Sequence, residues 1–190
     1  NTINIPDVTK LSIRSWEGCA VARTFYPNSI PNIRAIDFCH ESINALIQYL
    51  REQNLTRILV VTGDKKKGEP LVEKSLDCLE CISTIKSRAP DITVYAALDP
   101  YRHSVKQEKE YLDRKLSVGA DGFFTQPFFD LRLLEMYHDI TQGTPVFWGL
   151  SPAVSEKSIR YWYKRSDVVF PQQFEPTLEW NWGFAKKVLR

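Results

Sequence analysis

Small polar and acidic side chains follow six short apolar segments of this chain, at the point where each segment ends. In chain order these positions are Asp7, Asp37, Thr62-Gly63-Asp64, Asp99-Pro100, Thr125-Gln126-Pro127 and Ser151-Pro152. Turns favour Gly, Pro and Asp for conformational reasons, so each position taken alone favours an ordinary turn. Asp64, Gln126 and the adjacent pair Phe128-Phe129 go beyond turn chemistry. Carboxylate, amide and aromatic groups hold and orient organic ligands, so these positions are candidate site residues.

The apolar segments that carry these groups alternate with longer amphipathic ones. The predicted strands are Ile3–Ile5, Ile33–Phe38, Ile58–Val61, Ile92–Ala97, Gly122–Thr125 and Val146–Trp148, with a shorter apolar stretch at Val168–Phe170. The predicted helices are Trp16–Tyr26, Ser42–Gln53, Pro70–Arg88, Ser104–Val118, Leu131–Thr141, Glu156–Lys164 and Leu178–Arg190. Such alternation predicts an α/β fold with a parallel sheet.

This pattern fits either a doubly wound sheet or a (β/α)8 barrel with pieces missing. In a parallel barrel the C-terminal ends of the strands form one rim, where active sites are built. No Gly-x-Gly-x-x-Gly sequence opens a helix, and a Walker lysine loop is absent. A dinucleotide site of the Rossmann type is therefore not supported.

Composition narrows the class of protein further. A chain of 190 residues suits one domain, and its net charge of +2 argues against a nucleic-acid partner. No run of 18 apolar residues could span a membrane, and the first residues lack the features of a signal peptide. We therefore predict a cytoplasmic protein that binds neither nucleic acid nor membrane.

The cysteines and histidines do not form a metal site in the sequence pattern. Cys78-x-x-Cys81 lies inside a predicted helix, whereas a redox pair normally opens a helix after a strand. We interpret these residues as ordinary helix cysteines, with a redox pair or a zinc site as the alternatives. The three histidines lie far apart in the sequence, so we predict no bound metal.

The segment from Lys115 to Asp130 carries the most specific motif of the chain. It contains a lysine, a Gly-Ala-Asp turn, an apolar strand and then Thr125-Gln126-Pro127-Phe128-Phe129-Asp130. This order resembles a long motif of the methylenetetrahydrofolate reductase family. Further similar segments are Pro31–Asp37, Ile58–Asp64, Tyr95–Ala97 and Trp148–Pro152. Together the matches run from Asn4 to about Pro171, in the order found in the family.

The resemblance implies a (β/α)8 TIM-type barrel that carries FAD at its C-terminal rim. In that family, NADH or NADPH reduces the flavin, which in turn reduces 5,10-methylenetetrahydrofolate to 5-methyltetrahydrofolate in one-carbon metabolism and methionine biosynthesis. The resemblance therefore implies a flavoprotein oxidoreductase with a folate substrate. The family is often oligomeric, so a homo-oligomer is expected as well.

The resemblance also implies roles for individual residues. Asp64 and Gln126 are the expected catalytic residues, Asp64 beside the flavin ring and Gln126 reaching both flavin and folate. The expected cofactor-binding residues are Thr9, Thr62, Gly63, Asp64, Ala96, Tyr111, Lys115, Phe124 and Gln126, and the expected substrate-binding residues are Gln126, Phe128 and Phe129. Lys115 would neutralise a cofactor phosphate, and its alternative is a solvated helix lysine.

The chain also departs from the family. The family's first strand carries a proton-donating glutamate, and this chain begins where the second strand would lie. We therefore expect a single barrel domain over residues 1–190, with its first and last strands trimmed away. Asn32 and Leu98 replace a histidine and a tyrosine, and Tyr101 is a candidate replacement for that tyrosine. Lys65-Lys66-Lys67 is either a solvated loop or an electrostatic guide for phosphates or a polyglutamate tail.

These departures motivate two alternatives to the reductase. The first is a barrel homologue that binds a folate or methyl carrier without hydride transfer. The second is an unrelated (β/α) protein, because one fold hosts many chemistries. Trp162, Trp180 and Trp182 are expected to be packing residues, with a partner-protein surface as the alternative.

Overall fold

The computed structural model of the chain describes residues 2–64 and 72–189. Its strands are β1 (Thr2–Ile5), β2 (Asn28–Arg34), β3 (Arg57–Val61), β4 (Thr93–Leu98), β5 (Gly122–Pro127) and β6 (Val146–Gly149). Its helices are α1 (Ser15–Ala22), α2 (Ile43–Glu52), α3 (Cys78–Arg88), α4 (Val105–Ser117), α5 (Leu131–Ile140), α6 (Glu156–Ser166) and α7 (Leu178–Val188), with a 3₁₀ turn at Ala35–Asp37.

The strands pair in parallel and in chain order. β1 pairs with β2, β2 with β3 and β3 with β4, and β5 pairs with β6 in the same sense. Parallel neighbours need a crossover connection, and the helices between the strands supply it. The prediction of a parallel α/β fold is therefore confirmed. The described residues contain six strands rather than eight, so the closed (β/α)8 barrel stays a prediction.

The chain divides into two compact units. The N-terminal unit comprises Asn1–Ala97 and Asp113–Gly122, and the C-terminal unit comprises Leu98–Leu112 and Phe123–Arg190. In the N-terminal unit, β2 and β3 bury Ile30, Ile33, Ile58 and Val60 completely. Of the two, β3 carries the continuous apolar run Ile58-Leu59-Val60, which is typical of a strand covered on both faces. In the C-terminal unit, buried aromatic rings form much of the core, including Phe123, Phe128, Phe129 and Tyr137.

The amphipathic periodicity of α2 is confirmed. Ile43, Leu46, Ile47 and Leu50 recur at spacings of three and four, and all four are buried. Residues at these spacings share one face of a helix, so this spacing alone predicts which face is buried.

The second strand is placed differently from our prediction. β2 spans Asn28–Arg34 rather than Ile33–Phe38, and the chain then turns through Ala35–Asp37. Ile36 and Phe38 are buried in that turn, so the apolar run continues beyond the end of the strand. Hydrophobicity alone cannot separate a buried strand from a buried turn. Similarly, Val168–Phe170 does not form a strand, although Val168 is fully buried.

The start of α3 also differs from the predicted helix, Pro70–Arg88. The helix begins at Cys78, because the Asp77 carboxylate accepts a hydrogen bond from the Glu80 amide at 2.8 Å. The Glu80 side chain accepts one from the Asp77 amide at 2.9 Å, which completes a capping box. The first two residues of the predicted helix, and the lysine run at 65–67, lie outside the described residues.

The predicted interpretation of Cys78-x-x-Cys81 was wrong in one respect. Cys78 is the first residue of α3, so the pair opens a helix instead of lying inside one. Both side chains are nevertheless buried, and burial raises the pKa of the Cys81 thiol far above its ordinary value. A redox cysteine needs an accessible thiolate, so this environment is unlike that of a reactive pair.

Two negative findings concern only the part of the chain that the structure describes. None of its helices combines the length and the apolar character needed to cross a bilayer. Within the same residues, no three His, Cys, Asp or Glu side chains are grouped so as to hold a metal ion.

Candidate functional site

The turn after β3 presents Asp64 at the C-terminal end of that strand. Gly63 has a φ of +90°, and a methyl group on it would lie 2.8 Å from the Cγ1 atom of Ile36. A side chain at this position would be strained both by its conformation and by its neighbour. The Thr62 carbonyl accepts a hydrogen bond from the Ile36 amide at 3.2 Å. The turn is therefore closely fitted, while Thr62 and Asp64 themselves are exposed.

An ionic network follows the ends of β1 and β2 in the same unit. The Nη2 atom of Arg14 lies 2.5 Å from Asp7 and 2.6 Å from Asp37. Burial acts to lower the pKa of Arg14, but its hydrogen bonds to Asp37 and Asp7 outweigh burial and raise that pKa. Arg34 lies 3.6 Å from the same Asp37 oxygen. Asp7 and Asp37 were recognised from their positions in the sequence, whereas the two arginines were missed.

Thr9 carries a buried hydroxyl that has no hydrogen-bond partner among the described residues. Buried polar atoms are nearly always paired, so this atom is a candidate contact for a ligand or a water. Between the paired strands β1 and β2, the Asn4 amide donates to the Asn32 side chain at 2.7 Å and to the Ile30 carbonyl at 2.9 Å. Asn32, which stands where the resemblance implies a histidine, is thus engaged within the sheet.

Lys115 and Ala96 are both buried in the N-terminal unit. Lys115 is 3% exposed, and its ammonium donates to the Ala97 carbonyl at 2.5 Å. The alternative of a solvated helix lysine is therefore wrong. Ala96 pairs with Val60 in the sheet and has no exposed surface. A ligand contact at position 96 therefore requires its backbone or a local rearrangement.

The strand ends of the C-terminal unit present Gln126 and Phe124. Gln126 is exposed, and Phe124 is partly buried against Phe147, with ring centroids 4.2 Å apart. The Gly149 amide donates to the Thr125 hydroxyl at 2.8 Å. A methyl group on Gly149 would lie 2.7 Å from the Thr125 carbonyl oxygen, so only glycine allows this approach. Tyr111, on α4, is partly buried.

Phe128 and Phe129 form the floor of an apolar pocket. Each is 1% exposed, so they contribute little surface of their own. Phe128 packs on Tyr137 and Trp148, and Phe129 packs on Phe170. The pocket has a volume of about 240 Å³, and its other lining residues are Leu150, Ser151, Pro152, Leu178, Asn181, Trp182 and Phe184. Trp182 is 62% exposed, so the expectation that it is a packing residue was wrong.

A buried polar cluster lies at the C-terminal end of β5 in the C-terminal unit. The Glu108 carboxylate accepts from the Asp99 amide at 3.1 Å, and the Tyr101 hydroxyl donates to the Pro127 carbonyl at 3.0 Å. One Glu108 oxygen and the Tyr137 hydroxyl have no partner among the described residues. Burial, and then the charges of Glu108 and Asp99, raises the pKa of Tyr137 to about 12. Sequence reasoning missed Glu108 and Tyr137, since neither stands in a turn motif.

The structure thus groups the predicted residues by unit. In the N-terminal unit, one ionic network joins the ends of β1 and β2 and reaches the Asp64 turn through Arg34. Lys115 and Ala96 lie at the end of β4 in that unit. In the C-terminal unit, Gln126 near the end of β5 is followed by Phe128 and Phe129, which line the pocket.

Comparison with solved structures identifies proteins of the same fold. A protein from Clostridium thermocellum that binds two copies of 5-methyl-5,6,7,8-tetrahydrofolic acid is 13% identical, with a TM-score of 0.59, over 89% of this chain and 63% of its own. Oxaloacetate acetylhydrolase is 12% identical, with a TM-score of 0.57, over 99% of this chain and 91% of its own. The enzyme 2,3-dimethylmalate lyase, a member of the PEP mutase/isocitrate lyase superfamily, is 12% identical, with a TM-score of 0.54, over 100% of this chain and 91% of its own.

At such low identity these likenesses establish the fold and nothing about the reaction. The chain also spans less than two thirds of the length of the folate-binding protein. The profile of one family, methylenetetrahydrofolate reductase, matches residues 17–181, which include the Asp64 turn and Gln126 on β5. This match covers most of the chain, and the chain therefore belongs to the methylenetetrahydrofolate reductase family.

Proposed function

We propose that this protein is a flavin-dependent oxidoreductase that reduces 5,10-methylenetetrahydrofolate to 5-methyltetrahydrofolate, with NADH or NADPH as the electron source. One observation carries the proposal. The two residues that the family motifs mark as catalytic, Asp64 and Gln126, are both exposed at the C-terminal ends of their strands. Ligands of parallel α/β proteins bind at these ends. A folate-binding protein of the same fold supports the substrate class.

The residues present fit a flavin nucleotide in their chemistry. The Thr9 hydroxyl, which has no hydrogen-bond partner within residues 2–64 and 72–189, is a donor and acceptor for a polar cofactor group. The Lys115 ammonium is a cation suited to a phosphate. Thr62, Gly63 and Asp64 would supply backbone and carboxylate contacts, and the chain would hold FAD through these groups. When bound, FAD would supply the hydride chemistry that no amino-acid side chain can supply.

Asp64 and Gln126 would act by charge and by orientation. A fixed carboxylate disfavours additional negative charge nearby, so Asp64 would lower the reduction potential of a flavin beside it. The Gln126 amide offers two donors and an acceptor, which suits the mixed polar edge of a pterin ring. Asp64 follows the closely fitted Gly63 turn, and Gln126 lies on β5 where the backbone of Gly149 on β6 approaches closely.

The apolar pocket of the C-terminal unit suits the aromatic part of a folate. Its floor is Phe128 and Phe129, and Trp182 adds an exposed aromatic face. Small-molecule sites are usually apolar clefts with a few polar groups that fix orientation, and here Ser151 lines the pocket, whereas the Asn181 amide is already bonded to Ala153 and Thr177. Phe128 and Phe129 would serve substrate binding mainly by shaping this pocket, because each is only 1% exposed.

A second candidate function is folate or methyl-carrier binding without hydride transfer. Two positions favour it: Asn32 is engaged with Asn4, and Leu98, which replaces a tyrosine, is fully buried. Tyr101 is not free to replace that tyrosine, because its hydroxyl is bonded to the Pro127 carbonyl. Position 98 therefore offers no polar group, and the side-chain oxygen of Asn32 is already bonded to Asn4.

One experiment separates the two candidates. The purified protein is mixed anaerobically with FAD, and the flavin absorbance is followed while NADH or NADPH and then methylenetetrahydrofolate are added. The reductase predicts bleaching by the nicotinamide and recovery of the absorbance with the folate. Retained calorimetric binding of 5-methyltetrahydrofolate without any bound or bleached flavin would reject the reductase in favour of the second candidate.

A further inference from the structure

Arg34 is a buried charge that no turn or strand pattern requires. It is the last residue of β2, and its side chain is 7% exposed. Burying an arginine costs free energy unless its donors are paired, so the partners of this side chain indicate what it does. The family resemblance assigned it no role.

The partners of Arg34 are in the turn that carries Asp64. Its Nη2 atom donates to the Asp64 carbonyl at 2.9 Å. A methyl group on Gly63 would lie 3.0 Å from the Arg34 Nε atom, so the guanidinium packs directly against the glycine backbone. The planar guanidinium is rigid, and donors that come from one rigid plane fix the position of what they bind.

The other side of this guanidinium is anchored. Its Nη1 atom lies 3.6 Å from Asp37, which also binds Arg14 at 2.6 Å, and Arg14 binds the buried Asp7 at 2.5 Å. The ends of β1 and β2 therefore hold Arg34 in place. An arginine so anchored can transmit that fixed position to the turn after β3.

We propose that Arg34 is a positioning residue that fixes the Thr62-Gly63-Asp64 turn and thereby sets where the Asp64 carboxylate is presented. The consequence for cofactor binding rests on the proposed function. The ordering of the turn does not, because it concerns only contacts within the chain.

The test compares three variants of the whole chain. Arg34→Met removes the charge and the donors while keeping similar length, and Arg34→Lys keeps the charge but not the planar set of donors. The matched control is Arg57→Met, because Arg57 also bridges β2 and β3, through Asn28 at 3.2 Å, but at the opposite ends of those strands. Two quantities are measured: NMR order parameters of the Gly63 and Asp64 amides, and the Kd for FAD.

We expect Arg34→Met to lower the order parameters of both amides from about 0.85 to below about 0.6. We expect it to raise the Kd for FAD about tenfold, the loss that one hydrogen bond to a charged group would cause. Arg34→Lys should fall between Arg34→Met and the wild type, and Arg57→Met should match the wild type in both measurements.

Several results would overturn the proposal. Unchanged order parameters in Arg34→Met would refute positioning. Equal changes in Arg57→Met would mean that Arg34 only stabilises the sheet and does not position the turn. If Arg34→Met fails to fold, an Arg34→Lys variant with wild-type order parameters and Kd would refute it as well. A wild-type chain that binds no FAD would instead refute the proposed function, while the order parameters would still decide the role of Arg34.

Discussion

At the scale of residues, the proposed flavin chemistry depends on the charge of Asp64. The carboxylate is exposed, so its effect on a bound cofactor is screened by water and is modest. The sequence alone marks Asp64 as a candidate site residue, because a carboxylate after Thr62-Gly63 exceeds the needs of a turn. The contact between Arg34 and this turn could not be predicted, because Arg34 lies 30 residues away in sequence and is brought to the turn only by β2–β3 pairing.

Replacing Asp64 by Asn should change the flavin potential without unfolding the protein. The variant keeps the size of the side chain and removes one negative charge, so reduction of bound FAD becomes easier. We expect a rise of about 20 mV, as one screened charge of about 1 kcal/mol would give. A dye-equilibration titration measures this shift, and circular dichroism checks the fold. An unchanged potential would mean that Asp64 lies away from the flavin.

A second prediction at this scale concerns the reactivity of the buried cysteine thiols. Burial raises the pKa of Cys19 to about 12, and it raises the pKa of Cys81 as well. Because the folded-state pKa lies above the unfolded value, the contribution of Cys19 to stability is complete below about pH 9 and declines as the pH rises towards 12.

These two thiols should therefore resist a thiol reagent at about pH 8 in the native state. We expect the partly exposed Cys39 to react first and the buried cysteines only after denaturant is added. Counting modified thiols with Ellman's reagent checks this. Rapid native-state modification of Cys19 or Cys81 would contradict the buried assignment.

At the scale of elements, apolar periodicity predicted helices better than it predicted their ends. The α2 face was predicted correctly because four apolar residues at helical spacing leave little choice. β2 was misplaced because Ile36 and Phe38 continue the apolar run into a buried turn. The start of α3 was missed, although Asp77-x-x-Glu80 is the capping-box pattern that marks it.

The capping box of α3 gives a stability prediction. Asp77→Ala should lower the free energy of unfolding by about 1 kcal/mol, because the Glu80 amide loses its acceptor. Glu80→Gln is the matched control, since its amide oxygen can still accept from the Asp77 amide. Urea unfolding followed by circular dichroism measures both. Equal losses in the two variants, or none in Asp77→Ala, would contradict the role of this cap.

At the scale of the whole molecule, the question is whether the two compact units fold together. Their boundaries fall inside β4, α4 and β5, not in linkers between elements. Domain boundaries normally lie in exposed linkers, so this placement favours one cooperative domain, as the composition predicted. Barrel closure could not be judged from the sequence, because strand counting depends on elements as weak as Val168–Phe170.

Calorimetry tests this cooperativity. We expect one unfolding transition whose calorimetric and van't Hoff enthalpies agree, as for a two-state domain. Two separated transitions, or a calorimetric enthalpy well above the van't Hoff enthalpy, would contradict the prediction of a single domain.

The most direct test of the central claim, that Asp64 and Gln126 each contribute to flavin binding, is a fluorescence titration of FAD. Wild-type chain, Asp64→Ala and Gln126→Ala are compared with Asp91→Ala, which removes an exposed ion pair with Arg51. We predict saturable quenching by the wild type and the control, and a Kd raised about tenfold in each site variant. No binding by the wild type, or equal Kd values in all four proteins, would contradict the account.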